Sequence, residues 1–433
     1  MRIVYKLGGT SQCRIGYDRL IKEFTNKFTD KFTDKTEIFI ILSAISGVTN
    51  NLVKFTETKN IMYIENVLEL NLKLINDLNL KEEDFEIIKN ELLEICTNYI
   101  KFYNITDIYE KSEIIGYGEI FSTNIFYKYI DTNFNLEFLT LKLHNSYDYI
   151  KSKKEIYQFN SSTEFYCDSN LLNSIYDINI FQGFIGSTPS GKKVLLGRGG
   201  SDTTGSLITN SINAKLYEVW TDVDGIFTAD PRIFNAKLID KIDYELIQEI
   251  ASMGAKVMHP LSIKPCADKF IPIIVKNTFN SCSNGTEITN LSECYDTFYA
   301  IQKNETIFKI KSLDMWNSYG FLNDIFRQFS ECNINVNIVT TSQFSISATT
   351  NEQNKYKLLE LEQKLSEKYD VNVVYNCIIF SIVKRNIKDI IDKLNFKEIY
   401  PEIIHMSDNN MTINFVLRDL SNNIFNDIIK NIN

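Results

Sequence analysis

Along the first 290 residues, short apolar runs alternate with stretches of helical leucine and isoleucine spacing. The runs RIVYKL, EIFIILSA, LEFLTL, FQGFIG, KKVLLG, LYEVWTDV and FIPIIVKN read as strands, and their alternation with helices predicts a βαβ-built, mainly parallel sheet covered on both faces. Residues 51–130 are mostly helical by the same spacing, a flank over one edge. Beyond residue 298 the texture changes. FKIKS, YGFLNDIFRQFSECN, VNIVTTS and FSISATT read strand, helix, strand, strand, and CIIFSIV, KDIIDKLN, YPEIIHMS, TINFVLRD and NIFNDIIK repeat that order with a closing helix. Two such units in tandem predict a duplicated ferredoxin-like (βαββαβ) module. The expected division is 1–290, 300–373 and a shortened 374–433.

A hydrophobic content of 44% can fill real cores, and a net charge of −9 without a basic run argues against nucleic acid as a partner. The opening MRIVYKLGGTS breaks into glycine too early for a signal peptide or membrane span, so a cytoplasmic protein is expected. Eight scattered cysteines contain no C-x-x-C pair, which predicts reduced thiols and neither a disulfide framework nor a zinc site. His144, His259 and His405 lie far apart in sequence, leaving little for a histidine-based triad or metal cluster.

Candidate chemistry concentrates in glycine-rich turns. VLLGRGGSDTTGSLITNSINA reads as strand, tight loop and a helix from Thr204, with Ser201 or Asp202 at the N-cap. Gly197, Gly199 and Gly200 let backbone donors turn toward one point, an anion-attracting nest, and Arg198 adds a planar fork for a carboxylate or phosphate. A plain glycine-rich turn with a surface arginine explains the loop alone equally well. Lys6, Gly8 and Gly9 follow the first strand, at the end of a sheet where α/β proteins bind ligands, and SAISGVTN follows the second. GYGE is read as a loop with Glu119 at a helix N-terminus. Glu119 with Arg198 would complement an α-amino acid. WTDVDGIFTADPR places Thr221 and Asp222 at a strand end, with Phe227 and Arg232 on the turn beyond suiting a purine and its phosphates. GAKVMHP adds Lys256. Two motifs mislead: GSTPSGKK lacks the Ser or Thr and the following helix of a P-loop and reads as a hairpin tip, and GYGEIF lacks the last glycine of a dinucleotide fingerprint.

KLGGTS, SAISGVTN, GYGE, QGFIG, LGRGGSD, WTDVDGIFTADPR and SMGAKVMHP, in this order, resemble the aspartate kinases, amino-acid kinases with an αβα catalytic domain and C-terminal ACT domains. The resemblance implies phosphoryl transfer from Mg·ATP to the side-chain carboxylate of L-aspartate, giving 4-phospho-L-aspartate for lysine, threonine and methionine synthesis. It makes Lys6 and Asp202 catalytic, and Thr49, Glu119, Arg198, Gly199, Gly200 and Ser201 substrate-binding. Lys6, Gly8, Gly9, Thr221, Asp222, Phe227, Arg232 and Lys256 would contact ATP. The pattern holds no protein-bound metal. A related glutamate kinase and a catalytically silent amino-acid sensor are the alternatives. Leu7 stands where phenylalanine is usual, and Phe227 where tyrosine is common.

In the tail, Met315, Ser318, Gly320, Phe321, Leu322 and Val336 follow the effector-binding pattern. Asn337 and Gln343 stand where lysine-inhibited relatives tend to carry acids, which removes the natural partners of a ligand ammonium. The effector is left open between lysine, threonine, another amino acid and none. Pairing of ACT units implies a homodimer or larger assembly.

Overall fold

The computed structural model describes residues 1–29, 36–102, 107–134, 139–156, 164–168, 170, 176–254, 258–290, 294–312, 319–391 and 401–418. They form two compact units. The first gathers Met1–Ile226, Leu238–Ile247 and Lys256–Glu293; the second gathers Phe227–Lys237, Gln248–Ala255 and Cys294–Asn433.

In the first unit the chain runs β1 (Arg2–Leu7), α1 (Arg14–Thr29), β2 (Glu37–Leu42) and then four helices, α2 (Val48–Thr58), α3 (Met62–Asp77), α4 (Glu86–Phe102) and α5 (Ile108–Asn133). β3 (Leu141–His144), β4 (Ile150–Ser152), β5 (Phe165–Cys167), β6 (Ile178–Gln182), β7 (Ile185–Ser187) and β8 (Lys193–Leu195) follow. The unit continues through α6 (Gly200–Ser211), β9 (Leu216–Thr221), β10 (Lys241–Asp243), the start of α7 (Tyr244–Ser252), α8 (Pro260–Ala267), β11 (Ile273–Asn277) and β12 (Thr286–Thr289).

Eight strands make the main sheet, in the order β10-β12-β11-β9-β1-β2-β6-β3. All its pairings are parallel except β11 with β12. β1 and β2 are buried at every position after the first, as strands with helices on both faces must be. Tyr5, Leu7, Ile38, Ile40 and Leu42 join the core shared with α1, α2 and α5. The other face packs on α6, where Gly205 meets the Tyr217 ring too closely for any side chain and the Tyr217 hydroxyl donates to the Asp202 carbonyl at 3.0 Å. β1 has β2 on one side and β9 on the other, so the connections leave it in opposite directions, a switch point whose crevice lies at the carboxyl ends.

KKVLL is not part of this sheet, contrary to the sequence reading. β8 pairs antiparallel with β7 in a separate four-stranded sheet, β5-β4-β7-β8, and GSTPSGKK is the tip of that hairpin, as expected.

The second unit is one antiparallel sheet, β14-β15-β13-β16-β18-β17, built from β13 (Phe298–Lys311), β14 (Val339–Thr341), β15 (Ser345–Thr350), β16 (Asp370–Val383), β17 (Ile403–Met406) and β18 (Thr412–Arg418). α9 (Phe321–Glu331) and α10 (Lys355–Ser366) close a core of Phe308, Ile310, Phe329, Ile346, Leu361 and Leu365; the short α11 (Lys388–Ile391) leads toward β17. The long β13 and β16 each serve both tandem modules. Before the register shift at Gln302–Glu305, β13 pairs with Ile379–Val383 of the later module; after it, β13 pairs with Asp370–Val374 and β15. Residues 227–237 and 248–255 join here because Tyr299 N–H donates to Thr228, Lys237 pairs with Asp296, and Glu249 accepts from Asn409 and Thr412.

Filling the Gly205 contact tests the packing of α6 on β9. Gly205→Ala is expected to cost about 1–3 kcal/mol by overpacking Tyr217, despite alanine's better helix propensity. The measurement is a lower urea midpoint at unchanged slope.

Candidate active site

Lys6 lies on β1 and is 8% exposed. A buried ammonium is costly unless paired. Its partner is Asp202 in the first turn of α6, with Nζ 2.6 Å from Oδ1. A carboxylate there also sits well against the helix dipole.

α6 begins at Gly200, with Gly199 as its N-cap at φ +66 and Gly197 at φ +80. Ser201 and Asp202 are therefore inside the first turn rather than at the cap expected from sequence. Two left-handed positions flank the exposed Arg198, and no side chain caps the helix, which leaves first-turn donors for an anion.

A histidine that the sequence places far from this loop stands beside it. His259 packs its Cβ onto Gly199, and its Nδ1 accepts the Leu261 N–H at 3.3 Å, capping α8. Burial pushes its pKa down, as does Arg198, while Asp202 pulls it up. The signal was in GAKVMHP: a polar residue before proline marks a helix start.

Glu119 is not at a helix N-terminus. GYGE lies inside the 26-residue α5, and its glycines are packing contacts rather than turn residues. A Cβ on Gly118 would sit 2.8 Å from Ala44 Cβ and 3.1 Å from Val48 Cγ1; one on Gly116 would sit 3.1 Å from Ile185 Cδ1. Helix-interior glycine costs about 1 kcal/mol against alanine, and the close approach of the β2–α2 turn offsets it. Glu119 is 3% exposed. Its Oε1 accepts the Ala44 N–H at 3.2 Å, while Oε2 has no hydrogen-bond partner among the described residues. Burial pushes its pKa up to about 8, against the opposing pull of backbone N–H groups and Lys6.

Around this centre the turns are laced together. Gly8 N–H donates to Trp220 O at 2.9 Å, and Ser46 N–H donates to Gly9 O at 3.1 Å. Thr49 is half-buried in the first turn of α2, behind Gly47 at φ +90. Thr221 ends β9 half-buried, its hydroxyl donating to the exposed Asp222 at 3.2 Å. One end of the first unit's sheet thus carries Lys6, Gly8, Gly9, Thr49, Glu119, Arg198, Gly199, Gly200, Ser201, Asp202, Thr221 and Asp222. Phe227 and Arg232 belong to the second unit, where the exposed Arg232 pairs with Asp230 at 2.7 Å. Lys256 lies outside the described residues.

Of the proposed effector residues, Met315 and Ser318 also lie outside the described residues. Gly320 caps α9 at φ +79, Phe321 meets Tyr369 edge-on at 5.4 Å, Leu322 is exposed, and Val336 packs on the core beneath α9. Gln343 is exposed. Asn337 does have an acid beside it. Its Nδ2 donates to both oxygens of Glu305 at 3.0 Å, and this carboxylate on β13 is 1% exposed. Burial raises the Glu305 pKa, against the Asn337 hydrogen bond. The missing acids at 337 and 343 therefore do not leave the neighbourhood without a carboxylate. A strand pairing set at long range brought Glu305 there, which no local pattern announces.

Among the described residues no three His, Cys, Asp or Glu side chains converge as a metal site, and no helix is long and apolar enough to cross a membrane.

The profile of the amino acid kinase family matches residues 1–277. Lysine-sensitive aspartokinase 3 of Escherichia coli is 30% identical over 324 residues, 72% of this chain and 71% of its own. The aspartokinase of Rickettsia felis is 28% identical over 439 residues, 98% of this chain and 97% of its own. Against aspartokinase 1 of Arabidopsis thaliana, 28% identical, the match spans 60% of the relative's length. Among solved structures, Escherichia coli aspartokinase III in complex with aspartate and ADP superposes with a TM-score of 0.80 at 23% identity, covering 100% of this chain and 99% of that one. The aspartate kinase of Clostridium acetobutylicum gives 0.71 at 21%, covering 99% of each. The agreement extends over the whole fold, second unit included.

The Glu119 environment makes a pH prediction. The folded state holds this proton to about pH 8, whereas an unfolded glutamate loses it near pH 4.3. The folded chain binds more protons between those values, so the group's contribution to stability falls as pH rises through the window, by at most about 1.4 kcal/mol per unit. Glu119→Gln is therefore expected to gain stability relative to wild type from pH 5 to 8. Parallel urea curves across that range would reveal it; a constant difference would contradict the burial argument.

Proposed function

The chain belongs to the amino acid kinase family, and within it to the aspartokinases, and from that premise we infer that it transfers the γ-phosphoryl group of ATP to the side-chain carboxylate of L-aspartate. The product is 4-phospho-L-aspartate, on the route to lysine, threonine and methionine. The observation that carries this reading is the Lys6–Asp202 pair, 2.6 Å apart at the carboxyl end of a central strand. Beside it stand an uncapped helix start and a buried carboxylate with one oxygen unpartnered.

The chemistry asks for little more. An aspartate carboxylate oxygen attacks the γ-phosphorus, the bond to the β,γ-bridging oxygen breaks, and its electron pair leaves on ADP. No proton moves, because a carboxylate is already nucleophilic at neutral pH, so positioning and charge neutralisation do the work. Lys6 neutralises charge on the transferred group, with Asp202 holding its ammonium in place. Glu119 meets the substrate ammonium, and the arriving positive charge favours its carboxylate over the protonated form that burial favours in the free enzyme. Arg198 takes a substrate carboxylate, with Thr49, Gly199, Gly200 and Ser201 lining the site. Gly8, Gly9, Thr221, Asp222, Phe227, Arg232 and Lys256 are assigned to the nucleotide. Magnesium enters as part of the substrate Mg·ATP, held mainly by phosphate oxygens.

The catalytic domain is drawn over 1–290 and the ACT modules over 300–373 and 374–433, with 227–237 and 248–255 grouped with the latter. An amino-acid effector, lysine or threonine, is assigned to the first module beside Asn337 and Glu305. A cytoplasmic homodimer or larger assembly completes the reading.

Purified protein with Mg·ATP and hydroxylamine is expected to release ADP and form a hydroxamate with L-aspartate, and not with glutamate or without acceptor. Lys6→Ala and Asp202→Ala should each lower kcat by about a hundredfold or more. Arg198→Ala should raise the aspartate KM by roughly 10–100-fold. Near-normal kinetics in all three variants would dismiss the site, and silence with every acceptor would favour a sensor.

A further inference from the structure

The turn between β6 and β7 holds a bulky residue where glycine is usual. Phe184 has φ +68, and the Ile185 N–H donates to the Gly183 carbonyl at 2.8 Å. That is the three-residue γ-turn with positive φ, a rare and strained form. Glycine would occupy it without strain. Phenylalanine does not, so a contact of its ring or of the turn has to hold it there.

Both kinds of contact converge on the start of α6. The ring lies against Gly200 so closely that no side chain would fit on that residue, and a Cβ on Gly183 would be 2.5 Å from Ser201 Cβ. Phe184 N–H donates at 3.1 Å to Thr204 Oγ1, which in turn donates at 2.9 Å to Gly200 O. The Phe184 carbonyl accepts the Leu196 N–H at 2.9 Å, from the residue that leads into the GRGG loop. Gly200 and Ser201 open the helix, and Asp202 follows.

We propose that Phe184 is a positioning residue for the acceptor site: its strained turn seats the first residues of α6, and through them aims the Asp202 carboxylate at Lys6 and spreads the Arg198 loop. The proposal rests on the kinase reading, since it assigns the strain a purpose in that reaction.

Phe184→Gly keeps the turn and removes both the ring and the strain, so a merely structural role and a positioning role give different results. The expected outcome is a melting temperature equal to or above wild type, kcat/KM for aspartate at least tenfold lower, as small misplacements of a reacting group produce, and an unchanged KM for ATP. Phe184→Tyr, which retains the ring, should restore kcat/KM to within about twofold of wild type. Wild-type kinetics in the glycine variant would overturn the proposal, and so would lost stability with a folded fraction of normal kcat and KM. If the glycine variant does not fold, Phe184→Leu carries the same comparison. Amide hydrogen exchange gives a readout free of activity: faster exchange confined to Gly200–Thr203 in the variant supports the seating role, and unchanged exchange refutes it. Wild-type silence with aspartate would count against the kinase reading alone, leaving the exchange result to decide this one.

Discussion

Lys6 is carried by a central strand of a sheet with helices packed on its faces, and its side chain is only 10% exposed, so its ammonium is largely withdrawn from water. A carboxylate has to come to it, and the route is α6. That helix must start close to the carboxyl end of β1, its first turn must pass over the β6–β7 turn, and its axis must lie down on β9. Each requirement is met by removing a side chain: Gly183 and Gly200 at the start, Gly205 over Tyr217. Gly200 and Gly205 lower helix propensity along α6 and are explained only by the approach they permit.

The same logic governs the other wall. α5 is unbroken for 26 residues although GYGE lies within it, because Gly116 lets the β7–β8 hairpin approach and Gly118 lets the β2–α2 turn sink against the helix and give Glu119 a backbone donor. What results is a carboxylate with little water around it, adjacent to an ammonium that is already engaged by Asp202. A polar ligand entering here exchanges few waters for fixed dipoles, and the groups that meet it need little reorganisation.

Much of this was legible in the chain. β1, β2, β6, β9 and β11 announce themselves as mainly apolar runs with isolated polar residues such as Lys6, Asn179 and Glu218, since strands covered on both faces have no regular polar face to alternate with the apolar one. KKVLL reads the same way but pairs elsewhere, because local hydrophobicity does not encode the partner of a three-residue strand. GYGE was read as a loop because glycine usually breaks helices, a tendency that tertiary packing overrides here. Lys6, Arg198 and Asp202 could be found from their loops, and the family resemblance gave them roles. His259, Phe184 and Glu305 could not be found so easily. Each acts through a neighbour distant in sequence, and the positive φ of Phe184 has no counterpart in residue type.

The second unit is assembled from three stretches of chain rather than one tail, because 227–237 and 248–255 leave the first unit and return to it. A cut after residue 293 would therefore strand both segments without the strands they pair with. The second unit is thus not a cassette that recombination could append or delete in one event, since two of its three stretches interrupt the chain of the first.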